Sequence, residues 1–151
     1  MDWLFARPRL LRRLMNCWPP FLGAGIRIER LSPDYRYCRV ALLLKGWNRN
    51  ANGTQYGGSL FSMTDPVYSM LLMAILGSDY YIWDKAANIN FISPGKGRVY
   101  ADIHLSQAEL SEILSATQGG GKHFPRFLIK IKDETGMLIA EVERILYVRK
   151  K

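Results

Sequence analysis

The sequence predicts one α+β domain in which an antiparallel sheet wraps around a long central hydrophobic helix. Two observations support this prediction. One long apolar run covers residues 60–76, and segments with the two-residue alternation of β-strands lie on both sides of it. A single apolar helix among strands can bury its surface when the sheet curves around it. The 151 residues fit a single domain, residues 1–151, whose core is large enough to be stable without disulfides or metals.

The composition restricts the partners and the compartment. There are 21 basic and 13 acidic residues, and the net charge of +8 favours an anionic partner: a phosphorylated small molecule, a nucleic acid or a membrane surface. Nucleic acid is not expected, because the aromatic residues are not interleaved with basic ones as they are in stacking platforms. Cys17 and Cys38 fit no metal or redox spacing, so we expect two free thiols in a reducing cytoplasm. No signal peptide is evident, and we expect a cytoplasmic protein.

Residues 1–18 predict a basic amphipathic helix. Leucines and arginines interleave in the sequence MDWLFARPRLLRRLMN, and the helix is expected to break around Pro8 and to end at residues 19–20. Two interpretations are open. Either the helix packs on the domain with its arginines in solvent, or it makes weak contact with a membrane surface.

The remaining elements follow from alternation, turns and caps. Residues 26–31 and 35–45 predict a strand hairpin with its turn at residues 32–34. Gly77 is expected to end the central helix, and Ser106 is a candidate N-cap. The elements expected after residue 80 are strands at 81–93, 98–106, 124–133 and 137–150 and a short helix at about 107–116.

The stretch NANGTQYGGSLFSMTDP, residues 50–66, places a lone carboxylate in an apolar run that follows a glycine-rich turn. Gly53, Gly57 and Gly58 permit close backbone approach at the turn into the helix. The first N–H groups of that helix are suited to a phosphate or a developing oxyanion. Asp65 is expensive to bury unless it is used or satisfied, so it either serves a site or caps the helix before the following proline. No Gly-Lys-Ser/Thr follows the glycines, so the stretch is not a P-loop.

Two parts of the sequence resemble one known family. The order Asn50, Gly53, Tyr56-Gly57-Gly58 and Asp65 is similar to the pattern of hotdog-fold acyl-CoA thioesterases of the phenylacetyl-CoA type. That pattern is an Asn, a Gly, a His-Gly-Gly turn and an acidic residue in the central helix. The sequence NINFISP, residues 88–94, followed by Gly97, is similar to the strand of the same family that ends in a Phe-x-x-Pro turn. The resemblance extends over about residues 25–148 and is greatest to an uncharacterised subgroup.

The resemblance implies a homodimeric or tetrameric hotdog domain that hydrolyses an acyl-CoA thioester to free acid and coenzyme A without a cofactor. It implies that Gly57 donates its backbone N–H to the thioester carbonyl and that Asp65 of the partner protomer acts as general base or nucleophile. Asn50 would shape and polarise the site, with Tyr56 and Gly58 binding substrate beside it. Tyr56 stands where the family has histidine, and a proline follows the acid. The alternative is therefore a hotdog module that binds acyl-CoA or lipid without catalysis.

Four basic residues outside this stretch are candidates for binding the phosphates of coenzyme A. They are Lys96, Arg98, Lys122 and Arg126. The alternative for each is a plain solvated side chain.

The remaining candidates lie on predicted strands. Asn88 and Asn90 alternate on the strand beside the helix, where they either line an acyl pocket or satisfy backbone groups. Asp102 and His104 fall on one face of a strand, so an Asp–His dyad is conceivable, although no serine or cysteine nucleophile is positioned to join them. Two histidines and two scattered cysteines make a metal site unexpected.

Overall fold

The computed structural model describes residues 2–151 and has the predicted order of helices and strands. The helices are α1 Asp2–Phe5, α2 Pro8–Cys17, α3 Pro19–Ala24, α4 Gly57–Ser62, α5 Val67–Leu76 and α6 Gln107–Thr117. The strands are β1 Ile26–Leu31, β2 Tyr37–Leu42, β3 Tyr80–Phe91, β4 Val99–His104, β5 Lys122–His123, β6 Arg126–Asp133 and β7 Leu138–Lys150.

The strands form one antiparallel sheet in the order β1-β2-β4-β6-β7-β3, and the short β5 pairs with β7. Strand β7 shows why the alternation predicted this sheet, because Ala140, Val142, Leu146 and Val148 are all fully buried on one face. The predicted α+β architecture is confirmed. The segment between the predicted helix at 107–116 and the predicted strand at 124–133 contains the additional strand β5, whose two residues pair with the end of β7.

The central apolar segment packs against the inner face of the sheet, with Val67, Leu71 and Leu72 fully buried. By length and composition alone, Gly57–Asp79 is apolar enough to cross a membrane, although in this fold it forms part of the protein core. The segment is two helices rather than the predicted one. Pro66 explains the break between α4 and α5, because proline has no N–H to donate and disfavours helical geometry in the residue before it.

Three N-terminal helices replace the single one predicted. The expected break at Pro8 separates α1 from α2, and the two prolines that end α2 also begin α3, where a missing N–H costs nothing. Asn16 attaches α2 to the edge strand β1: its side-chain nitrogen donates to the Ile28 carbonyl at 3.0 Å, and its oxygen accepts from the Ile28 N–H at 2.7 Å. Gly25 ends α3 with φ of +81°, a conformation that favours glycine.

Two predicted helix termini are confirmed. Gly77 terminates α5 with φ of +72°. The Ser106 hydroxyl accepts from the Glu109 N–H at 3.1 Å, and the Glu109 carboxylate accepts from the Ser106 N–H at 2.7 Å. This capping box fixes the start of α6. Cys17 and Cys38 are free, as predicted.

Candidate functional site

A cavity of about 400 Å³ lies where the loop before α4 meets the end of β3. Its wall includes residues of the loop 50–55, Gly57 and Leu60 of α4, and the segment 91–95 that leads away from β3. The predicted glycine-rich turn and the predicted Phe-x-x-Pro turn therefore meet in space. This placement makes the cavity the candidate site.

Asn50 organises the loop that forms one side of the cavity. Its side-chain oxygen accepts from the N–H groups of Asn52 at 2.9 Å and Thr54 at 3.1 Å, and its nitrogen donates to the Gln55 carbonyl at 3.2 Å. These bonds occupy both ends of the amide. The structure thus shows Asn50 ordering the loop 50–55, while its predicted roles in shaping and polarising a catalytic site stay predictions.

Gln55 lines the same cavity and was not singled out from the sequence. It is 3% exposed, and its nitrogen donates to the carbonyls of Leu42 at 3.1 Å and Gly97 at 2.9 Å. Its side-chain oxygen has no hydrogen-bond partner among residues 2–151 and is buried. A polar residue in a polar loop carries no periodic signal, so only the fold could identify it.

The three residues of the turn into α4 are packed closely together. A Cβ atom added at Gly57 would lie 3.0 Å from the Phe91 ring, and one added at Gly58 would lie 2.5 Å from the Tyr56 ring. Tyr56 itself is 57% exposed. The first N–H groups of a helix lack acceptors within it, so the Gly57 N–H has no partner inside α4, and Gly57 itself lies in the cavity wall.

Asp65 does not cap α5, so that alternative is wrong. The N-cap position of α5 is Pro66, with no side-chain cap. The carboxylate of Asp65 instead accepts from Arg144 at 2.7 Å, and the Asp65 side chain remains 59% exposed. Asp65 does not line the cavity that contains Gly57. Within one chain, therefore, the predicted oxyanion donor, Gly57, and the predicted base, Asp65, do not face the same cavity.

Arg144 is the other residue that sequence reasoning missed. Its side chain is 2% exposed, and it donates to the Phe61 carbonyl at 2.9 Å and to the Thr64 hydroxyl at 3.1 Å, as well as to Asp65. The guanidinium also lies 4.6 Å from the centre of the Phe61 ring. The signal was present in the sequence, because Arg144 falls on the apolar face of the alternating strand β7. A buried arginine needs such partners.

Asp84 is a second carboxylate near this arginine. Its Oδ2 accepts from the Ser69 hydroxyl at 2.8 Å, and its Oδ1 lies 3.8 Å from Arg144 with no hydrogen-bond partner among the described residues. Burial raises the pKa of Asp84, and the Ser69 hydrogen bond and the charge of Arg144 partly oppose that rise. The arginine thus lies between an exposed acid and a half-buried one.

The structure does not bring Asn88 and Asn90 to the cavity. They pair with Glu143 and Glu141 on the outer face of the sheet, whereas the cavity lies on the inner face beside Phe91. Both asparagines are exposed. The two-residue period of a strand places them opposite the face that packs on the central helices.

The four predicted basic residues do not form one cluster. Lys96 is exposed and directly follows Gly95 of the cavity wall. Arg98 is paired with Glu29 at 2.5 Å, which raises the pKa of its guanidinium, and Glu134 lies 3.3 Å away.

Lys122 and Arg126 lie away from the cavity. Lys122 is exposed on β5, and Arg126 lies 3.6 Å from Glu143. Of the four basic residues, Lys96 is therefore the one that the fold places beside the candidate site.

Asp102 is committed to a surface ion pair rather than to a dyad with His104. Its two oxygens accept from Arg39 at 2.7 Å each, and one also accepts from the Tyr37 hydroxyl at 2.6 Å. Hydrogen bonding from Arg39 and Tyr37 lowers the pKa of Asp102. The His104 ring packs on Tyr37 with centroids 4.7 Å apart. Among the side chains of residues 3–151, no group of three or more His, Cys, Asp or Glu could hold a metal ion.

Comparison with known proteins extends these observations. A family model described as a domain of unknown function, DUF4442, matches residues 7–148. No curated protein matches the chain.

Several solved structures are similar over nearly the whole chain. A Pseudomonas aeruginosa protein of unknown function, described as a probable thioesterase, is 24% identical, with a TM-score of 0.84 and 95% of each chain covered. A Chlorobaculum tepidum protein of unknown function is 16% identical, with a TM-score of 0.76, and the match covers 98% of this chain and 99% of that one. A thioesterase from Haemophilus influenzae is 16% identical, with a TM-score of 0.69, and the match covers 95% of this chain and 90% of that one. At these identities the likeness establishes the fold.

Proposed function

We propose that this member of the DUF4442 family is a cytoplasmic enzyme that hydrolyses an acyl-CoA thioester to the free acid and coenzyme A. The chain belongs to that family over residues 7–148 and has the hotdog fold of the similar structures described as thioesterases. The observation that supports the proposal best is the cavity of about 400 Å³ at the start of α4, with Gly57 in its wall. A thioester carbonyl in this cavity can reach a backbone donor.

The proposed reaction needs one donor and one base. The Asp65 carboxylate takes a proton from water, the water oxygen attacks the thioester carbon, and the carbonyl oxygen becomes an oxyanion that accepts from the Gly57 N–H. The tetrahedral intermediate then collapses with cleavage of the C–S bond, and the thiolate recovers the proton from Asp65. Exposure of 59% leaves this carboxylate accessible to water. Acid and coenzyme A are the products.

The two groups are proposed to come from different chains of a homodimer. Asp65 is eight positions after Gly57, in the turn beyond α4, and it does not line the cavity that contains Gly57. A general base acts within hydrogen-bond reach or through one water. In a homodimer, Asp65 of the second copy can act on a substrate bound beside Gly57 of the first.

The edge strand β3 is the proposed dimer contact. It is 12 residues long, it pairs along one side with β7, and it ends the strand order. Tyr81, Trp83 and Phe91 on this strand are about half exposed. A long edge strand with exposed aromatic side chains is an aggregation hazard unless something pairs with it. Pairing β3 with β3 of a second copy would cover both edges.

The ion pair with Arg144 supports a second candidate function. The Asp65 carboxylate already accepts from the buried Arg144 at 2.7 Å, so a structural ion pair engages the residue proposed as the base. The alternative is therefore a module that binds acyl-CoA or lipid without hydrolysing it. Lys96, beside the cavity, is the proposed contact for the phosphates of coenzyme A in either case.

Thiol release from short, long and aromatic acyl-CoAs tests the proposal. We expect turnover by the wild-type chain and a loss of at least about 100-fold in kcat for Asp65→Asn, a size that general-base loss produces. Asp79→Asn is the matched control, since it removes an exposed carboxylate just beyond α5. Full activity in Asp65→Asn would reject the catalytic role, and tight acyl-CoA binding without turnover would favour the binding module.

Mixing two inactive variants tests the shared site. Gly57→Val fills the cavity wall against Phe91 but keeps Asp65, and Asp65→Asn keeps the cavity. If each site uses both chains, an equal mixture re-equilibrated into random dimers should recover about one quarter of wild-type activity. No recovery in mixtures shown by mass to contain mixed dimers would place both groups in one chain.

A further inference from the structure

We propose that the N-terminal helices and the loop after β2 form a docking face for an anionic lipid surface. The face comprises Arg13, Leu22, Arg27, Lys45 and Trp47, which line one open groove of about 650 Å³. This inference is independent of the proposed enzymatic function. The docking face lies beside β1, at the end of the sheet away from the edge strand β3.

The helix behind the docking face is held firmly by the domain. Leu11 of α2 is 5% exposed and belongs to the core, and Phe21 of the following helix α3 is 2% exposed. Arg12 donates to the Glu29 carbonyl at 3.1 Å, and the Asn16 amide makes two hydrogen bonds to Ile28 of the edge strand β1. With one face of α2 held in this way, its opposite face is presented outward in a defined orientation.

Large apolar side chains are exposed on and beside the docking face. Trp47 is 72% exposed and Leu22 is 57% exposed, while Leu14 of α2 and Trp18, which follows α2, are 47% and 45% exposed. Trp18 is the C-cap of α2 and the N-cap of α3, so it lies between the helix that carries Leu14 and the one that carries Leu22. Contiguous exposed apolar side chains mark interaction surfaces, and tryptophan favours the boundary between water and lipid.

The charge on the docking face is not balanced by the protein. Among the side chains of residues 3–151, no carboxylate lies within ion-pair distance of Arg13, Arg27 or Lys45, and all three are exposed. Elsewhere Arg39 and Arg98 each have a carboxylate partner at 2.7 Å or less. The cations of the docking face are therefore available to an external anion.

Together these features match a lipid surface better than a soluble anion. A phosphate alone would use the cations but leave the tryptophans in water. An anionic bilayer surface satisfies both, because headgroups meet the basic side chains while the apolar ones enter the acyl boundary.

Vesicle co-sedimentation of the full chain tests the proposal. We expect binding to phosphatidylcholine vesicles that contain phosphatidylserine, weak binding to pure phosphatidylcholine, and release as salt rises above about 0.15 M. A basic residue near an anionic surface contributes about fivefold to partitioning, so Arg13→Gln/Arg27→Gln/Lys45→Gln should lose on the order of 100-fold. Trp47→Ala should weaken the same binding without changing the charge.

The matched control carries the same charge change on another part of the surface, as Lys130→Gln/Lys132→Gln/Lys150→Gln. It should retain binding near the wild-type level. Absence of wild-type binding to anionic vesicles, or equal losses in the two triple variants, would overturn the proposal. Binding of free coenzyme A is measured by calorimetry as a third test. If the docking-face triple variant alone abolishes this binding, and the wild type does not bind vesicles, the groove would be assigned to a soluble phosphorylated ligand instead.

Discussion

Replacing Arg144 with methionine removes a buried guanidinium but keeps an apolar side chain of similar reach. In the wild type the guanidinium donates to the Phe61 carbonyl, to the Thr64 hydroxyl and to Asp65, and it lies 3.8 Å from Asp84. The exposed Asp65 can be hydrated again, so its loss costs little. The other three groups are buried wholly or in part and are left without their cationic partner.

The expected destabilisation is about 3–5 kcal/mol. Removing one member of a buried ion pair typically costs about 3–5 kcal/mol, and this loss falls on Asp84. The Phe61 carbonyl keeps a donor, because the Thr64 hydroxyl donates to it at 2.9 Å. For a domain of this size, such a loss lowers the melting temperature by roughly 6–20 °C. Urea unfolding followed by circular dichroism, at matched m-values, measures the free energy directly.

The destabilisation should also depend on pH. Burial raises the folded-state pKa of Asp84 above its ordinary value, so the folded protein binds the Asp84 proton more tightly than the unfolded chain does. The resulting contribution to stability is complete below the unfolded pKa of about 3.9 and is lost as pH rises through the folded pKa. Without Arg144 the Asp84 pKa rises further, because the arginine lowers it in the wild type. The variant should therefore be less impaired near pH 4 than at pH 7.

A second substitution separates this account from simple loss of packing. In the Arg144→Met background, Asp84→Asn removes the uncompensated acid and should restore part of the lost stability at pH 7 while abolishing the pH dependence of the difference. Asp84→Asn alone is the matched control. A loss below about 1 kcal/mol, or a loss that is equal at both pH values, would show that Arg144 does not neutralise Asp84 in the folded protein.

Three further substitutions have expected outcomes that thermal unfolding or kinetics can measure. Gly25→Ala should cost at least about 1 kcal/mol, because φ is +81° and the new Cβ would lie 2.8 Å from a backbone carbonyl; a neutral result would contradict this geometry. Ser106→Ala should cost about 1 kcal/mol through loss of the capping box with Glu109, and an unchanged melting temperature would show that the cap contributes nothing. Gly58→Ala should displace the exposed Tyr56 ring and change KM for acyl-CoA with little change in stability, whereas a large drop in stability would show that the ring cannot move.

The candidate site was predictable where chemistry and local geometry coincide in the chain. Gly57 was identified from the glycine-rich turn, and Asn50 and the Phe-x-x-Pro turn after β3 from the family resemblance. The fold brings these parts of the chain to one cavity. Gln55 was not identified, because its role depends on Leu42 and Gly97, which are distant in sequence. Contacts across such distances leave no periodic pattern.

The final strand shows both the reach of sequence patterning and its limit. Alternation in MLIAEVERILYVRK predicted a strand and its buried face, and Arg144 occupies that face. The pattern could not identify its partner, because Asp65 lies 79 positions away and joins it only when β7 packs beside the turn between α4 and α5. Asp65 was therefore interpreted as a cap or a base, and its ion pair was missed.

By itself the sequence determined the antiparallel sheet, the apolar helical segment within it and most of the ends of its elements, since periodicity, glycine and proline act over a few residues. Only the tertiary structure decided which side chains meet. The ion pair of Asp65 with Arg144, the outward direction of Asn88 and the separation of Asp65 from Gly57 within one chain all depend on strand register and helix packing. Register is set by the whole sheet, and a shift of one residue would reverse every face.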